Sequence, residues 1–243
     1  MSAFDGDERQ AALHALGHLL KRLRTADDLT QEDYPRAVSC YEQALALFRE
    51  LDDATYIGFM LHNLGLIAYF QGDYGRARSL YEESLSLARG LKDDNSVAMV
   101  LGNLGLAAFA EGAYEQALAY QRQALADWRS VNNKPWLARG VEHVALIAAA
   151  AGEGERAARL FGAAAALREA FGTSQQANDR ELNERAIAKA REAIGEPAYS
   201  NAWDEGGRMS LAEALQHALG EERQQDAVHA GPPGDTVARA TSR

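Results

Sequence analysis

Four polar residues recur at intervals of forty along the chain: Asn63, Asn103, His143 and Asn183. An asparagine side chain offers both a hydrogen-bond donor and an acceptor, which is what an extended peptide backbone requires. Asn63 and Asn103 could therefore clamp the main chain of a bound peptide. They could equally form hydrogen bonds that fix how neighbouring repeats stack, and the sequence leaves both interpretations open.

The histidines and the cysteine indicate no further site. His14 and His18 are four residues apart, so they share one face of a helix and could bind a metal ion together. No third ligand accompanies them, and two histidines alone specify little. The single cysteine, Cys40, has no His or Asp in a recognisable relation to it, which favours a small half-buried residue over a nucleophile. We therefore predict no metal site and no cofactor.

Sequence motifs of catalysis do not occur in the chain. The patterns G-x-x-x-x-G-K-[ST], G-x-S-x-G, H-E-x-x-H and C-x-x-C are all missing. Asp and Glu are frequent, but they fall on stripes opposite the apolar ones, as on the solvated faces of helices. We predict no catalytic residue and expect a protein that is not an enzyme.

Charge and composition narrow the possible partners and compartment. The formal net charge of −10 argues against a nucleic-acid surface. No apolar run approaches the length that spans a bilayer, and the polar segment after Met1 resembles no secretory signal. A single cysteine fits a reducing compartment. We expect a cytoplasmic protein that binds neither nucleic acid nor membranes, while its oligomeric state stays undetermined.

The interval of forty also relates the residues that would build the scaffold. The stretches 63–89 and 103–129 share Asn-Leu-Gly-Leu, a later Gly, a Tyr and an Ala. Gly65 and Ala77 are small where two antiparallel helices would cross closely, and Gly72 lies where the first helix would end in a left-handed residue. The pattern predicts a solenoid over 1–220 with a disordered tail at 221–243. Its units are about 8–53, 54–93, 94–133 and 134–173, followed by capping helices in 174–220.

Polar residues at the breaks between these units predict where helices begin. Each of them can accept a backbone N–H as an N-cap residue: Asp53, Asp93, Asn133 and Thr173. Ser210 and Glu213 have the spacing of a capping box ahead of a final amphipathic helix.

The motif Leu64-Gly65, Gly72-Asp73-Tyr74, Ala77 and Tyr81 resembles the tetratricopeptide repeat. The usual repeat has 34 residues, whereas forty is similar to the long repeats of kinesin light chains and bacterial signalling ATPases. The resemblance implies an all-α fold. It would be a right-handed superhelix of antiparallel helix hairpins with irregular terminal capping helices.

A second resemblance covers 157–219, with Leu-Phe-Gly-Ala-Ala, Ala-Trp-x-Glu-Gly and Met-Ser-Leu-x-Glu-Ala. This segment looks like the end of the repeat region in STAND-type signalling ATPases and large LuxR-type regulators. The resemblance implies a non-enzymatic protein- or peptide-binding scaffold or sensor module in bacterial signalling or transcriptional regulation. The alternative is an arm that senses a small-molecule inducer.

In tetratricopeptide arrays the first helix of each unit lines the concave surface, and this resemblance gives the candidate binding residues. They are Phe59, His62, Asn63, Leu66, Tyr69 and Phe70 in one unit, Met99, Asn103, Leu106 and Phe109 in the next, and Arg139, Glu142 and His143 in the third. A protein or peptide partner is expected in this groove. Arg139 would attract an acidic one.

Overall fold

The computed structural model describes residues 31–175 and 177–220, and these residues form ten α-helices and no strand. The helices are α1 Tyr34–Glu50, α2 Ala54–Phe70, α3 Tyr74–Leu91, α4 Asp94–Ala110, α5 Tyr114–Ser130, α6 Lys134–Ala150, α7 Gly154–Phe171, α8 Ala177–Ile194, α9 Glu196–Gly207 and α10 Leu211–Leu219. The expected all-α class is confirmed. Across these ranges, no helix is both long enough and apolar enough to cross a membrane. The predictions for His14, His18 and 221–243 lie outside the described residues.

Consecutive helices pack as hairpins, α2 with α3, α4 with α5 and α6 with α7, and each hairpin also packs on the next. The turns inside the hairpins contain Gly72, Gly112 and Gly152, whose φ angles are 79°, 78° and 83°. A side chain with a Cβ rarely adopts this left-handed conformation, so glycine is the residue that the turn favours. The predicted end of the first helix at Gly72 is confirmed.

The predicted N-caps are confirmed in two of four places. The carboxylates of Asp53 and Asp93 each accept a hydrogen bond from the backbone N–H three residues on. Asn133 occupies the N-cap position of α6, but its side chain makes no capping bond. The prediction for Thr173 is wrong, because α8 begins only at Ala177.

Close packing explains the small residues of the repeat. A Cβ added to Gly65 would lie 2.6 Å from the ring of Tyr81, and one added to Gly105 would lie 2.6 Å from Nε2 of Gln121. Ala77 is fully buried. The prediction of close packing is therefore confirmed, with the refinement that a large side chain of the second helix fills the space opposite each glycine.

The carboxyl end of the solenoid departs from the regular pattern. Helix α8 lies against α6 and α7, and α9 packs on α7. The α7–α9 contact is so close that a Cβ on Gly162 or Gly206 would collide with a main-chain carbonyl of the facing helix. Ser210 and Glu213 form the predicted capping box at the start of α10.

Candidate functional site

The candidate residues lie on α2, α4 and α6, and the structure separates them into a buried polar set and a more accessible apolar set. The polar members are all at most 6% exposed: His62, Asn63, Asn103, Glu142 and His143. Arg139 is half-buried. Among the apolar members, Phe59 is 44% exposed. Met99, Tyr69, Phe70 and Phe109 are half-buried, while Leu66 and Leu106 are buried.

Both asparagine side chains form contacts within the chain. Asn63 Nδ2 donates to the carbonyl oxygen of Phe59 over 2.8 Å, and its Oδ1 lies 3.5 Å from the hydroxyl of Tyr41. Asn103 Nδ2 lies 3.5 Å from Nε2 of His62 on the preceding first helix. The amides that would clamp a peptide are thus already engaged with neighbouring groups.

The contact with Asn103 fixes the proton on the His62 ring. Burial and the positive charge of Arg139 lower the pKa of His62 to about 4, so the ring is neutral at pH 7. In the tautomer that lets Asn103 Nδ2 donate across this contact, Nε2 accepts and the proton resides on Nδ1. Nδ1 has no hydrogen-bond partner in the described part of the chain. In this tautomer the buried Nδ1 donor is unsatisfied among the described residues.

Helix α6, the first helix of the third complete hairpin, carries an ionic network. Arg139 donates to both carboxylate oxygens of Asp179 on α8, over 2.8 and 3.3 Å. Glu142 accepts from Arg168 on α7 and from Gln175. Asp179 and Arg168 were not among the sequence candidates, although Asp179 follows Arg139 by forty residues.

This network controls the charge of its two carboxyl groups in opposite directions. Burial disfavours the ionised form of Asp179, but the His143 ring and the Arg139 guanidinium outweigh burial and hold the pKa of Asp179 well below its usual range. His143 Nε2 lies 3.9 Å from Asp179, too far for a hydrogen bond. Burial raises the pKa of Glu142, with Arg168 opposing it. Arg139 was expected to attract an acidic partner, but it forms an ion pair with Asp179 inside the chain.

The exposed apolar side chains surround a pocket between α2, α3 and α4. This pocket has a volume of about 290 Å³ and is bounded by Phe59, His62, Ala88, Val100 and Met99 among others. Of the large apolar side chains classed as exposed in the described residues, three line this pocket and one begins α5. They are Tyr56, Phe59 and Leu91 at the pocket and Tyr114 on α5.

The same space one repeat later is filled. Trp128 on α5 occupies the position of Ala88, and Trp136 on α6 occupies that of Ser96. The two indole rings stack with centroids 5.3 Å apart, and Trp128 is 1% exposed. Room for Trp128 comes from two glycines, because a Cβ on Gly102 or Gly140 would lie 2.9 or 3.2 Å from its ring.

The other end of the candidate groove is almost closed. A cavity of only about 20 Å³ lies among Leu66, Tyr69, Leu106, Arg139 and Asp179. Burial, followed by the influence of neighbouring Tyr74 and Asp179, raises the pKa of Tyr69 to about 12. This end can hold little more than a water molecule.

Metal-binding clusters of three or more His, Cys, Asp or Glu side chains are not found among residues 31–175 and 177–220. Cys40 is half-buried, as predicted.

Comparison with known proteins agrees with this geometry. Two family models, both described as tetratricopeptide repeat, match residues 26–90 and 97–135. A search of curated proteins found no match. The crystal structure of BtubC (BKLC) from P. vanneervenii is similar with a TM-score of 0.62 and 19% sequence identity, covering 98% of this chain and 92% of that chain. At that identity the likeness shows the fold alone.

The resemblance to STAND-type sensor arms finds no support in these matches. The chain is thus a helical solenoid that carries tetratricopeptide repeats over residues 26–90 and 97–135.

Proposed function

We propose that this chain is a non-enzymatic scaffold or sensor module that binds a protein or peptide partner in bacterial signalling or transcriptional regulation. Tetratricopeptide repeats suggest a protein-interaction scaffold, because stacked hairpins offer an extended surface. The observation that carries the proposal for this chain is the concentration of exposed Tyr56, Phe59 and Leu91 around one pocket. Aromatic and aliphatic side chains that are exposed together mark interaction sites.

The polar candidates have a supporting part in this proposal. Asn63 is bonded to its own helix, and Asn103 contacts His62, so both favour the structural interpretation that the sequence left open. Arg139 is paired with Asp179, which leaves it little free charge for an acidic partner. Binding would therefore depend mainly on the apolar side chains of α2 and α4.

The regulatory context rests on the resemblance of 157–219 to the end of STAND-type repeat regions. In such an arm, partner binding would occur on the solenoid and the regulatory output would come from another part of the regulator. A cytoplasmic setting without nucleic-acid contact is consistent with a formal net charge of −10.

A small-molecule inducer is the second candidate, and the pocket is the observation that favours it. Its volume of about 290 Å³ lies near the lower end of ligand pockets, which is roughly 300 Å³. The exposed rim favours a protein instead, because a larger partner surface would cover side chains that a small ligand inside the pocket would leave in water.

Selection of displayed peptides on the full chain tests the function. Enriched peptides should bind the native chain in a fluorescence anisotropy titration. The Phe59→Ala/Met99→Ala variant should bind them at least tenfold more weakly, with an unchanged melting temperature. Tyr114→Ala is the matched control, since Tyr114 is 38% exposed but lies outside the pocket. Failure to enrich any sequence, or equal binding by both variants, would contradict the proposed function.

A further inference from the structure

We propose that the pocket between α2, α3 and α4 receives one aromatic side chain of the protein partner, whose neighbouring carbonyl oxygen accepts a hydrogen bond from His62 Nδ1. This inference rests on the proposed function and specifies the chemistry of the partner. It follows from comparing the same space in successive repeats, from the state of His62 and from the residues at the rim.

The first argument is that aromatic residues occupy the equivalent two positions in the repeats on either side. In the repeat before, Phe48 and Tyr56 occupy the two equivalent positions and stack with centroids 4.5 Å apart. In the repeat after, Trp128 and Trp136 do so at 5.3 Å. At the pocket the same two positions hold Ala88 and Ser96. The helices around the pocket follow the same repeat, so the space that is left suits a ring supplied from outside.

The second argument is the unused donor on the pocket wall. His62 is 6% exposed and lines the pocket, and its Nδ1 is without a hydrogen-bond partner in the described residues. The equivalent position in the next repeat is Gly102, which has no side chain to donate. A buried donor that stays unsatisfied is costly, so the free chain bears a penalty that an acceptor on the ligand removes.

The third argument concerns what surrounds the opening. Tyr56, Phe59 and Leu91 are 40%, 44% and 45% exposed. A partner that inserts a ring into the pocket would cover these side chains with its own surface and would exclude water around the inserted group. A central buried aromatic anchor with a surrounding shell that excludes water is the usual arrangement of a strong protein contact.

The test uses N-acetyl-L-tryptophanamide, which carries an indole beside amide carbonyls, in an NMR titration of the full ¹⁵N-labelled chain. We expect saturable shifts at the amides of Gly58, Ala88 and Val100, with much weaker binding of N-acetyl-L-leucinamide. His62→Phe should keep the shape of the wall and lose the donor, which should weaken binding roughly three- to tenfold. Shifts spread over the surface without saturation, or no preference for the indole, would overturn the proposal. Unchanged binding by His62→Phe would overturn the hydrogen bond assigned to Nδ1.

A filled pocket provides the decisive variant. His62→Gly/Ala88→Trp/Val100→Gly reproduces Gly102, Trp128 and Gly140 of the next repeat. It should lower the affinity for the probe at least tenfold. Ala88→Leu is the second variant if the first does not fold by circular dichroism, and retained binding in the folded variant overturns the proposal.

The peptides selected on the full chain distinguish the proposed scaffold function from the proposed aromatic anchor. Enriched peptides that share an aromatic residue and lose binding in the filled variant would support the pocket as the anchor site. Enriched peptides without an aromatic residue would leave the proposed function standing and overturn the aromatic anchor. Saturable probe binding without any enriched peptide would contradict the scaffold function instead.

Discussion

Two spaces between successive repeats have the same framework and opposite contents. The space bounded by α4, α5 and α6 is filled by Trp128, which stands against Gly102 and Gly140. The space bounded by α2, α3 and α4 is open, with Ala88 opposite His62 and Val100. The repeat therefore fixes the positions of the helices, whereas the side chains that face the two spaces differ without changing the fold.

The side chains at the positions of residues 102, 128 and 140 change together from one repeat to the next. Trp128 packs against Gly102 and Gly140, where an added Cβ would lie 2.9 and 3.2 Å from its ring. At Gly140 the added Cβ would lie still closer to Leu125, at 2.6 Å. With alanine at 88, a histidine and a valine fit in their place. In the third repeat, the same positions hold Glu142 and Arg168, which form an ion pair beside a second pocket of about 160 Å³. The side chains at these positions therefore differ from one repeat to the next along one solenoid.

Opening the filled space should have the largest effect. Trp128 is 1% exposed, and replacing it with alanine removes a large buried ring and its stacking with Trp136. We expect the free energy of unfolding to fall by about 3–5 kcal/mol. Urea denaturation followed by circular dichroism measures it. Phe59→Ala, at the open space, is the control and should change stability by less than about 1 kcal/mol; equal losses in the two variants would contradict the comparison.

Removing the ion pair between Arg139 and Asp179 should lower the free energy of unfolding by nearly as much. The Asp179 side chain is 10% exposed in the native chain, and Arg139→Ala removes its bidentate partner. We therefore expect the free energy of unfolding to fall by about 3 kcal/mol at pH 7. Because the pKa of Asp179 is lowered in the folded state, this contribution is present above the unfolded-state pKa. It is lost progressively as the pH falls from there through the lower folded-state pKa. The variant and the native chain should therefore converge in acid. A constant gap between their unfolding free energies at every pH would show that Arg139 acts through packing alone.

The stability of the chain should depend on pH through His62, which lines the open space. Its folded-state pKa is lowered from 6.5 to about 4, so the unfolded chain binds a proton first and stability falls as the pH drops through this window. The loss should approach about 3 kcal/mol, since one pKa unit corresponds to roughly 1.4 kcal/mol. Thermal denaturation between pH 7 and pH 4 measures it, with His62→Gln as the reference that cannot titrate. Parallel pH profiles for the two proteins would exclude a buried neutral His62.

The asparagines should give the smallest effects. Asn63→Ala and Asn103→Ala each remove contacts inside the chain, and each should lower the unfolding free energy by about 0.5–1.5 kcal/mol. Differential scanning calorimetry detects such a shift in the melting temperature. If both variants melt with the native chain but lose affinity for selected peptides, the clamp interpretation returns and the structural one fails.

The framework could be predicted from the sequence because its constraints repeat. Gly72 marks a left-handed turn, Gly65 faces Tyr81, and Asp53 caps α2, each through a local or short-range rule. Thr173 failed as a cap because the chain leaves the repeat there, and α8 begins at Ala177.

The content of the spaces was harder to predict. Ala88 and Ser96 look like ordinary small residues, and only comparison with Trp128 and Trp136 forty residues later shows what is missing. Asp179 was not predicted as the partner of Arg139 for a related reason, since it lies beyond the four predicted units, in the segment predicted to form capping helices. Whether Asn63 turns toward its own helix or toward the groove depends on side-chain packing, which spacing does not encode.

Diffraction from crystals of the chain under xenon pressure tests the difference between the two spaces most directly, because xenon enters apolar cavities that proteins leave unfilled. We predict xenon in the pocket beside Ala88 and Val100 and none beside Trp128, with a second xenon site appearing in Trp128→Ala. A pocket closed by Phe59 or Met99 without xenon, or equal occupancy at both spaces in the native chain, would contradict the account.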